Sequence, residues 1–449
     1  LYKLILTIRY LAKRRITHFA IAAVALCVFI VVVVMTVMAG LVGEFKQKNH
    51  DFVGDCIVGT DSLVGFPYYD EFLGILDESG FVAGASPVVR NYALMTILNY
   101  GNKQFGVEIL GIDPVLHSRT TSFARTLHFR ADQPENAFVL SGDPNALGSV
   151  WGSDVVNLQD DWGRYRYGVQ PPLLTIRLTC FPLNAKGAPA GAGSNPVTTQ
   201  GFRCSDFSHS GIARVDGSLV YIPLKQAQML CMNEAGKRVS AIYIRFRPEV
   251  GVAEGTRRVA ELWNRFKQDR AGALHSGLLD TVTVQDWKRY RRAFIAPMEK
   301  EQALLSLMFV LVGVTTVFIV FVVFYMIITN KKKDIGILKS VGASNASVLS
   351  LFCGFAFSVG LIGSSVGTLV GWLFLAEINR IEQWLYEHFG WQLWDRTIYA
   401  IGDIPSRIEP RIIAVIVASA VAACVVGALV PSYLAARLRP VETLHAQRT

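Results

Sequence analysis

The chain has 449 residues, 51% hydrophobic and only 18% charged, with a mean hydropathy of +0.35. That balance excludes an ordinary soluble globular protein and fits a membrane protein carrying a sizeable polar domain. A net charge of +9 would suit nucleic acid, but the basic excess sits in three short segments beside apolar runs, which excludes that class.

These segments are residues 1–15, with Lys3, Arg9, Lys13, Arg14 and Arg15; Lys331, Lys332, Lys333 and Lys339 against Asp334; and the tail, with Arg437, Arg439 and Arg448 against Glu442. Basic residues gathered on one side of a membrane predict that both termini are cytoplasmic. Residues 1–15 alternate apolar and basic positions, which predicts an amphipathic helix in the headgroup plane. Charge-free runs follow at 16–43, 303–330, 340–376 and 412–436. Each exceeds the roughly 20 residues needed to cross the hydrocarbon core, so four transmembrane helices are expected. The first is too long for a secretory h-region and reads as an uncleaved span. The expected order is a span at 16–43, a large extracytoplasmic domain at 44–302, spans at 303–330 and 346–376 joined by a cytoplasmic segment at 331–345, an extracytoplasmic loop at 377–411, a span at 412–436 and a cytoplasmic tail at 437–449.

The polar insert carries strand-like runs at Phe81–Ala85, Ala93–Leu98, Val107–Leu110, Leu173–Leu178, Leu219–Ile222 and Ala241–Phe246. Helical periodicity is stronger at Tyr69–Ser79, Lys225–Asn233 and Val252–Asp269, so the insert is expected to be α+β. Asn184–Pro196, rich in Gly, Ala and Pro, reads as a flexible loop. Cys180 and Cys204 flank it and could form a disulfide at its base, the alternative being free buried thiols. With no C-x-x-C, a thiol redox centre or zinc ribbon is not expected.

In the third span Gly363, Gly367 and Gly371 recur every four residues, with Gly360 just before them, giving a flat face for close helix packing. That face predicts a partner, either within the chain or in a second chain. Gly363-Ser364-Ser365-Val366-Gly367 matches the letters of a serine-hydrolase elbow, but a mid-membrane helix supplies neither the strand nor the sharp turn that the elbow needs. Pro431 is expected to kink or end the fourth helix. No Asp, Glu, Lys or Arg lies inside an apolar run, which argues against a proton relay or an ion-coupled carrier. Neither a G-x-x-x-x-G-K-[ST] phosphate loop nor an H-E-x-x-H metal motif occurs, so no catalytic or metal site is expected in this chain.

Between the second and third runs lies Lys332-Lys333-Asp334-Ile335-Gly336-Ile337-Leu338-Lys339, followed by Gly342-Ala343-Ser344. Read as a helix, it gathers Ile335, Ile337, Leu338 and Val341 on one side, places Asp334 in the first turn and stops at Gly342. This pattern resembles the cytoplasmic coupling helix of FtsX-like, MacB-like ABC transporter permeases, especially the lipoprotein-releasing (LolC/LolE) group. Gly111-Ile112-Asp113-Pro114, the run Ser218–Gln228 and Glu299-Lys300 are further points of resemblance.

The resemblance implies a multi-pass inner-membrane permease subunit without catalysis of its own. A separate cytoplasmic ABC ATPase would bind ATP and Mg and dock on Lys332–Lys339, Gly342 and Ala343, with Ile335, Ile337 and Leu338 as buried anchors. It further implies a second permease subunit, as homo- or heterodimer, membrane lipids, and a lipoprotein or other lipid-anchored substrate passed to a periplasmic carrier. The alternatives are mechanotransmission to an envelope hydrolase or sensor without cargo, and a membrane-anchored enzyme using the insert.

Overall fold

The computed structural model describes residues 15–437 apart from 99–100, 141–145, 157–158, 160–164, 169, 173, 190–196, 233–237, 331, 393, 395–402 and 408. The expected interfacial helix at 1–15 therefore lies almost wholly outside the described residues, as does the tail beyond Arg437. The helices are α1 (Arg15–Val53), α2 (Tyr69–Glu78), α3 (Pro114–Thr120), α4 (Leu224–Met232), α5 (Val252–Asp269), α6 (Arg292–Asn330), α7 (Lys332–Ser340), α8 (Asn345–Phe389) and α9 (Pro410–Arg437), with a few single turns between. The strands are β1 (Cys56–Gly59), β2 (Phe66–Pro67), β3 (Val82–Ile97), β4 (Lys103–Ile112), β5 (Gly148–Gly152), β6 (Thr175–Cys180), β7 (Thr198–Ser208), β8 (Leu219–Pro223), β9 (Arg238–Val239), β10 (Ala241–Phe246) and β11 (Thr283–Asp286).

Two compact units result, one holding the membrane helices and the other spanning Glu44–Ala296. α1, α6, α8 and α9 are each long and apolar enough to cross a membrane, and the α+β unit is inserted between the first two of them. α8 continues to Phe389, well past the charge-free run, because Asn379 and Glu382 find partners beside it. Asn379 Oδ1 accepts from Ile404 N–H at 2.9 Å, and Glu382, fully buried, accepts from Trp394 N–H at 3.3 Å. α9 runs through Pro431 to Arg437 rather than ending there.

The inserted unit is built on a nine-stranded mixed sheet in the order β11-β1-β10-β3-β4-β8-β5-β7-β6. β3 organises it. Its first half pairs with β10 and its last four residues, Leu94–Ile97, pair with β6 along the same edge. With β4 on its other edge, the path β3-β4-β8-β5-β7-β6 returns to β3 and closes a ring, which leaves no free edge there. The sequence reading divided β3 into two strands, Phe81–Ala85 and Ala93–Leu98. Ladder pairing runs through the gap between them, Pro87 lying opposite Ile242 and Arg90 opposite Leu110.

Alternation sorts the core onto both faces of the sheet. Val58, Ile109, Val220, Ile242 and Ile244 face α2, α4 and α5, while Ile57, Leu110, Tyr221 and Tyr243 face Phe123, Trp287 and Ile295. α5 buries Val259, Trp263 and Phe266 at helical spacing, with Trp263 edge-on to Phe72 at 4.8 Å.

The run Gly111–Pro114 has a local explanation. A β-carbon on Gly111 would stand 2.1 Å from that of Ala227, so only glycine lets α4 lie on the sheet at this point. Two residues later Asp113 Oδ1 accepts from Val115 and Leu116 N–H at 3.0 Å and caps α3, with Pro114 in its first turn.

The Cys180–Cys204 disulfide is not formed, and the ladder explains why. β6 and β7 pair Cys180 with Thr198 and Thr175 with Arg203, and Cys204 N–H donates to Leu174 O. The two cysteines thus occupy opposite ends of the hairpin, on the order of 20 Å apart at strand rise, where a disulfide needs Cα atoms within about 7 Å.

Candidate coupling helix and its glycine-lined support

α7 is short because its last turn is closed from within. Gly342 has φ +103°, a conformation that side chains rarely adopt, and nothing crowds the place its β-carbon would take. Its N–H donates to Lys339 O at 3.0 Å and that of Ala343 to Leu338 O at 3.0 Å, the paired bonds of a glycine-terminated Schellman cap. Ser344 then caps α8, its Oγ accepting from Ser347 N–H at 3.2 Å. The letters Gly-Ala-Ser therefore encode a stop, a turn and a start.

The helix has two apolar sides. Ile335 is 1% exposed and packs among Ile328 of α6, Val348 and Phe352 of α8, and Ala435 and Ala436 of α9. Lys339 Nζ donates to the carbonyl of Ala436 at 2.7 Å, placing a cation on the negative end of α9. These contacts fix the rotation of α7, so Ile337 is 53% exposed and Val341 84% exposed. Leu338 is half-buried. Ile335 was expected among the outward anchors. It serves instead to seat the helix, because the α-helical period separates it from Ile337 by about 200°. Lys332 and Lys333 lie in the helix, their side chains outside the described residues.

Four of the five glycines of α8, Gly360, Gly363, Gly367 and Gly371, are occupied within the chain, and Gly354 is not. A β-carbon on Gly363 would meet Val24 at 2.9 Å, on Gly367 the Ala25 carbonyl at 2.4 Å and Val28 at 2.9 Å, and on Gly371 Val32 at 3.1 Å. The matching residues rise together in number, so α1 and α8 run parallel, and Val24, Val28 and Val32 form a buried stripe on α1 at four-residue spacing. Gly360 faces another way, towards Cys424 and Val421 of α9. Of the two partners considered for this face, the chain's own first helix fills it.

The sequence reading missed Gly427, whose β-carbon would stand 2.6 Å from Val317 O and which brings α9 onto α6. It also missed the Val24/Val28/Val32 stripe, although its spacing matches that of the glycines. Among the described residues no group of three metal-ligating side chains occurs.

Residues 306–440 match the family described as FtsX-like permease C-terminal. Over nearly its whole length the chain is similar to the lipoprotein-releasing system transmembrane protein LolC of Neisseria meningitidis serogroup B, with 24% identity covering 97% of each chain. It is likewise similar to LolE of Haemophilus influenzae, with 21% identity covering 96% of this chain and 94% of that one. The periplasmic region of MacB from Actinobacillus actinomycetemcomitans aligns with 54% of this chain and 94% of its own at 14% identity, with a TM-score of 0.28. Residues 306–440, which carry α7 and the glycine face, thus form an FtsX-like permease C-terminal domain in a chain homologous over its length to LolC and LolE.

Proposed function

We propose that this chain is the permease subunit of an ABC transporter that releases lipoproteins, or another lipid-anchored substrate, from the outer leaflet of the inner membrane. A separate ATPase hydrolyses ATP in the cytoplasm and the inserted α+β domain moves in response. The observation that carries this reading is full-length similarity to LolC and LolE, whose names state lipoprotein release. α7 adds to it, because an outward apolar pair, Ile337 on the helix and Val341 just past its end, with the helix seated by Ile335 and Lys339, is what a docking ATPase would grip.

The basic segments beside the spans support a placement with both termini and α7 in the cytoplasm and the inserted domain on the other side. Exposed Trp384, Phe389 and Trp391, around the end of α8, suit the far membrane interface, where amphipathic aromatic rings gather. The spans are apolar throughout and provide no path for a hydrophilic solute. A lipid chain needs none, and withdrawing about sixteen carbons at about 0.8 kcal/mol per CH₂ costs on the order of 10 kcal/mol, a scale ATP hydrolysis can meet. A second permease chain, the same or a sibling, completes the transporter.

The test is reconstitution with the ATPase in proteoliposomes that hold a fluorescent lipoprotein, with an acceptor in solution. ATP-dependent transfer is expected. ATP-driven activation of an envelope hydrolase, without release of any lipidated substrate, would instead establish mechanotransmission.

A further inference from the structure

Although Cys180 and Cys204 are held apart, Cys180 has another cysteine beside it. Its sulfur lies 3.8 Å from that of Cys231, which is van der Waals contact, and both residues are fully buried. Cys180 ends β6 and Cys231 lies in the last turn of α4. The backbones on either side are already tied together. Leu183 N–H donates to the Cys231 carbonyl at 3.2 Å, and the buried Arg238 guanidinium donates to Leu183 O at 2.9 Å and Met232 O at 3.2 Å. The sulfurs therefore have to close from 3.8 Å to about 2 Å across a site whose main chain is already tied together.

We infer that Cys180 and Cys231 form a structural disulfide in the mature protein, joining the end of β6 to α4. The inference rests on the placement of the inserted domain outside the cytoplasm, where oxidation is favoured. Two thiols lose two protons and two electrons, the sulfur–sulfur bond forms, and the electrons pass to the disulfide of a thiol–disulfide oxidoreductase, which leaves as the dithiol. The exchange proceeds through a mixed disulfide attacked by the second cysteine as thiolate. In the folded domain neither sulfur is accessible, and its contact with Cys180 together with burial holds the Cys231 thiol well above its ordinary range. Oxidation therefore precedes the packing of α4 on β6. The bond closes a loop of about 50 residues, including the segment at 190–196, and limits its freedom in the unfolded chain. Cys56 and Cys204 serve as internal references, since Cys204 donates only to the carbonyl of Asp206 and neither has a sulfur neighbour among the described residues.

The full chain is quenched with acid in its native membrane, denatured in detergent, alkylated with and without prior reduction, and mapped by peptide mass. Without reductant, Cys56 and Cys204 are expected to be alkylated, whereas Cys180 and Cys231 appear as one linked peptide pair lighter by two hydrogens. Alkylation of both without reductant overturns the inference. In Cys180→Ser, Cys231 is expected to become alkylated without reductant, and continued protection would assign it a different partner. Leu274, 75% exposed, reports the placement separately. If Leu274→Cys is labelled from outside intact spheroplasts by a membrane-impermeant maleimide while Cys180 and Cys231 are free, the disulfide alone fails. If it is not labelled, the placement underlying the proposed function fails as well.

Discussion

Gly367 of α8 lies against Ala25 of α1 so closely that a β-carbon on the glycine would stand 2.4 Å from the alanine carbonyl oxygen. Backbone, unlike a flexible side chain, has little room to yield there. Gly367→Ala should force the two helices apart and lower stability by about 1–3 kcal/mol, with Gly367→Leu worse. Gly313→Ala, where nothing stands within 4 Å, should be neutral or slightly stabilising. Thermal unfolding of the detergent-solubilised chain distinguishes these outcomes, and an unchanged midpoint for Gly367→Leu would contradict the helix pairing.

Ile335 and Ile337, two residues apart, should fail in different ways. Ile335→Ala removes a fully packed side chain and should cost about 2–5 kcal/mol of stability while also loosening α7. Ile337→Asp changes an exposed position and should leave melting unaltered while weakening ATPase binding roughly 30-fold, the loss of one anchor of about 2 kcal/mol. Binding by surface plasmon resonance and melting, measured on both variants, separates the seat from the docking face. Wild-type binding by Ile337→Asp would remove α7 as the docking helix.

Gly342→Ala tests the turn rather than a contact. The substituted residue must hold φ near +103° or break the paired bonds to Leu338 and Lys339, at a cost of about 1 kcal/mol. The expected result is normal membrane insertion with ATP hydrolysis less tightly linked to substrate release, read as more ATP consumed per lipoprotein transferred. Gly342→Asn, which tolerates left-handed backbone better, should be the milder variant.

Acid should destabilise the inserted domain through His117. Burial holds its imidazole neutral down to about 3 against an ordinary 6.5, with Ser86 Oγ 3.1 Å from Nδ1 and Phe123, Tyr221 and Tyr243 around the ring. Because the folded pKa is depressed, the unfolded chain binds the proton first. The stability is complete above pH 6.5 and is lost as pH falls towards 3, at about 1.4 kcal/mol per pH unit from this residue. Unfolding measured at pH 7 and pH 5 should show a drop of about 2 kcal/mol that is smaller in His117→Gln. An identical drop in the variant would assign the acid sensitivity elsewhere.

The parts legible in sequence were those with a strong period or a strict composition. The existence and order of the four apolar helices were legible, although α1, α6 and α8 each run about ten residues or more beyond the charge-free runs, whereas α5 with its buried Val259, Trp263 and Phe266, and β10, lie where they were expected. Short strands buried on both faces, such as Cys56–Gly59 and Gly148–Gly152, carry no alternation in their letters and were missed. The Cys180–Cys204 pairing failed because nearness across a loop was read from sequence, whereas the β6–β7 register places the two at opposite ends. In α7 the cap letters were readable, but the inward turn of Ile335 was not. It depends on Ala435 and Ala436, roughly a hundred residues away, and no local pattern announces that contact.

The valine stripe on α1 has a consequence for how the protein is made. Val24, Val28 and Val32 enter the membrane early, but the glycines that receive them are synthesised roughly 340 residues later, which at about 5–20 residues per second is a wait on the order of 17–70 s. During that interval α1 presents its stripe to lipid or to a chaperone, and the inserted domain emerges and folds before the helix that will hold α1 exists. Synthesis therefore imposes an order, domain first and bundle second. A ribosome stalled shortly before Gly363 should carry a folded domain on an α1 that is still free to exchange neighbours.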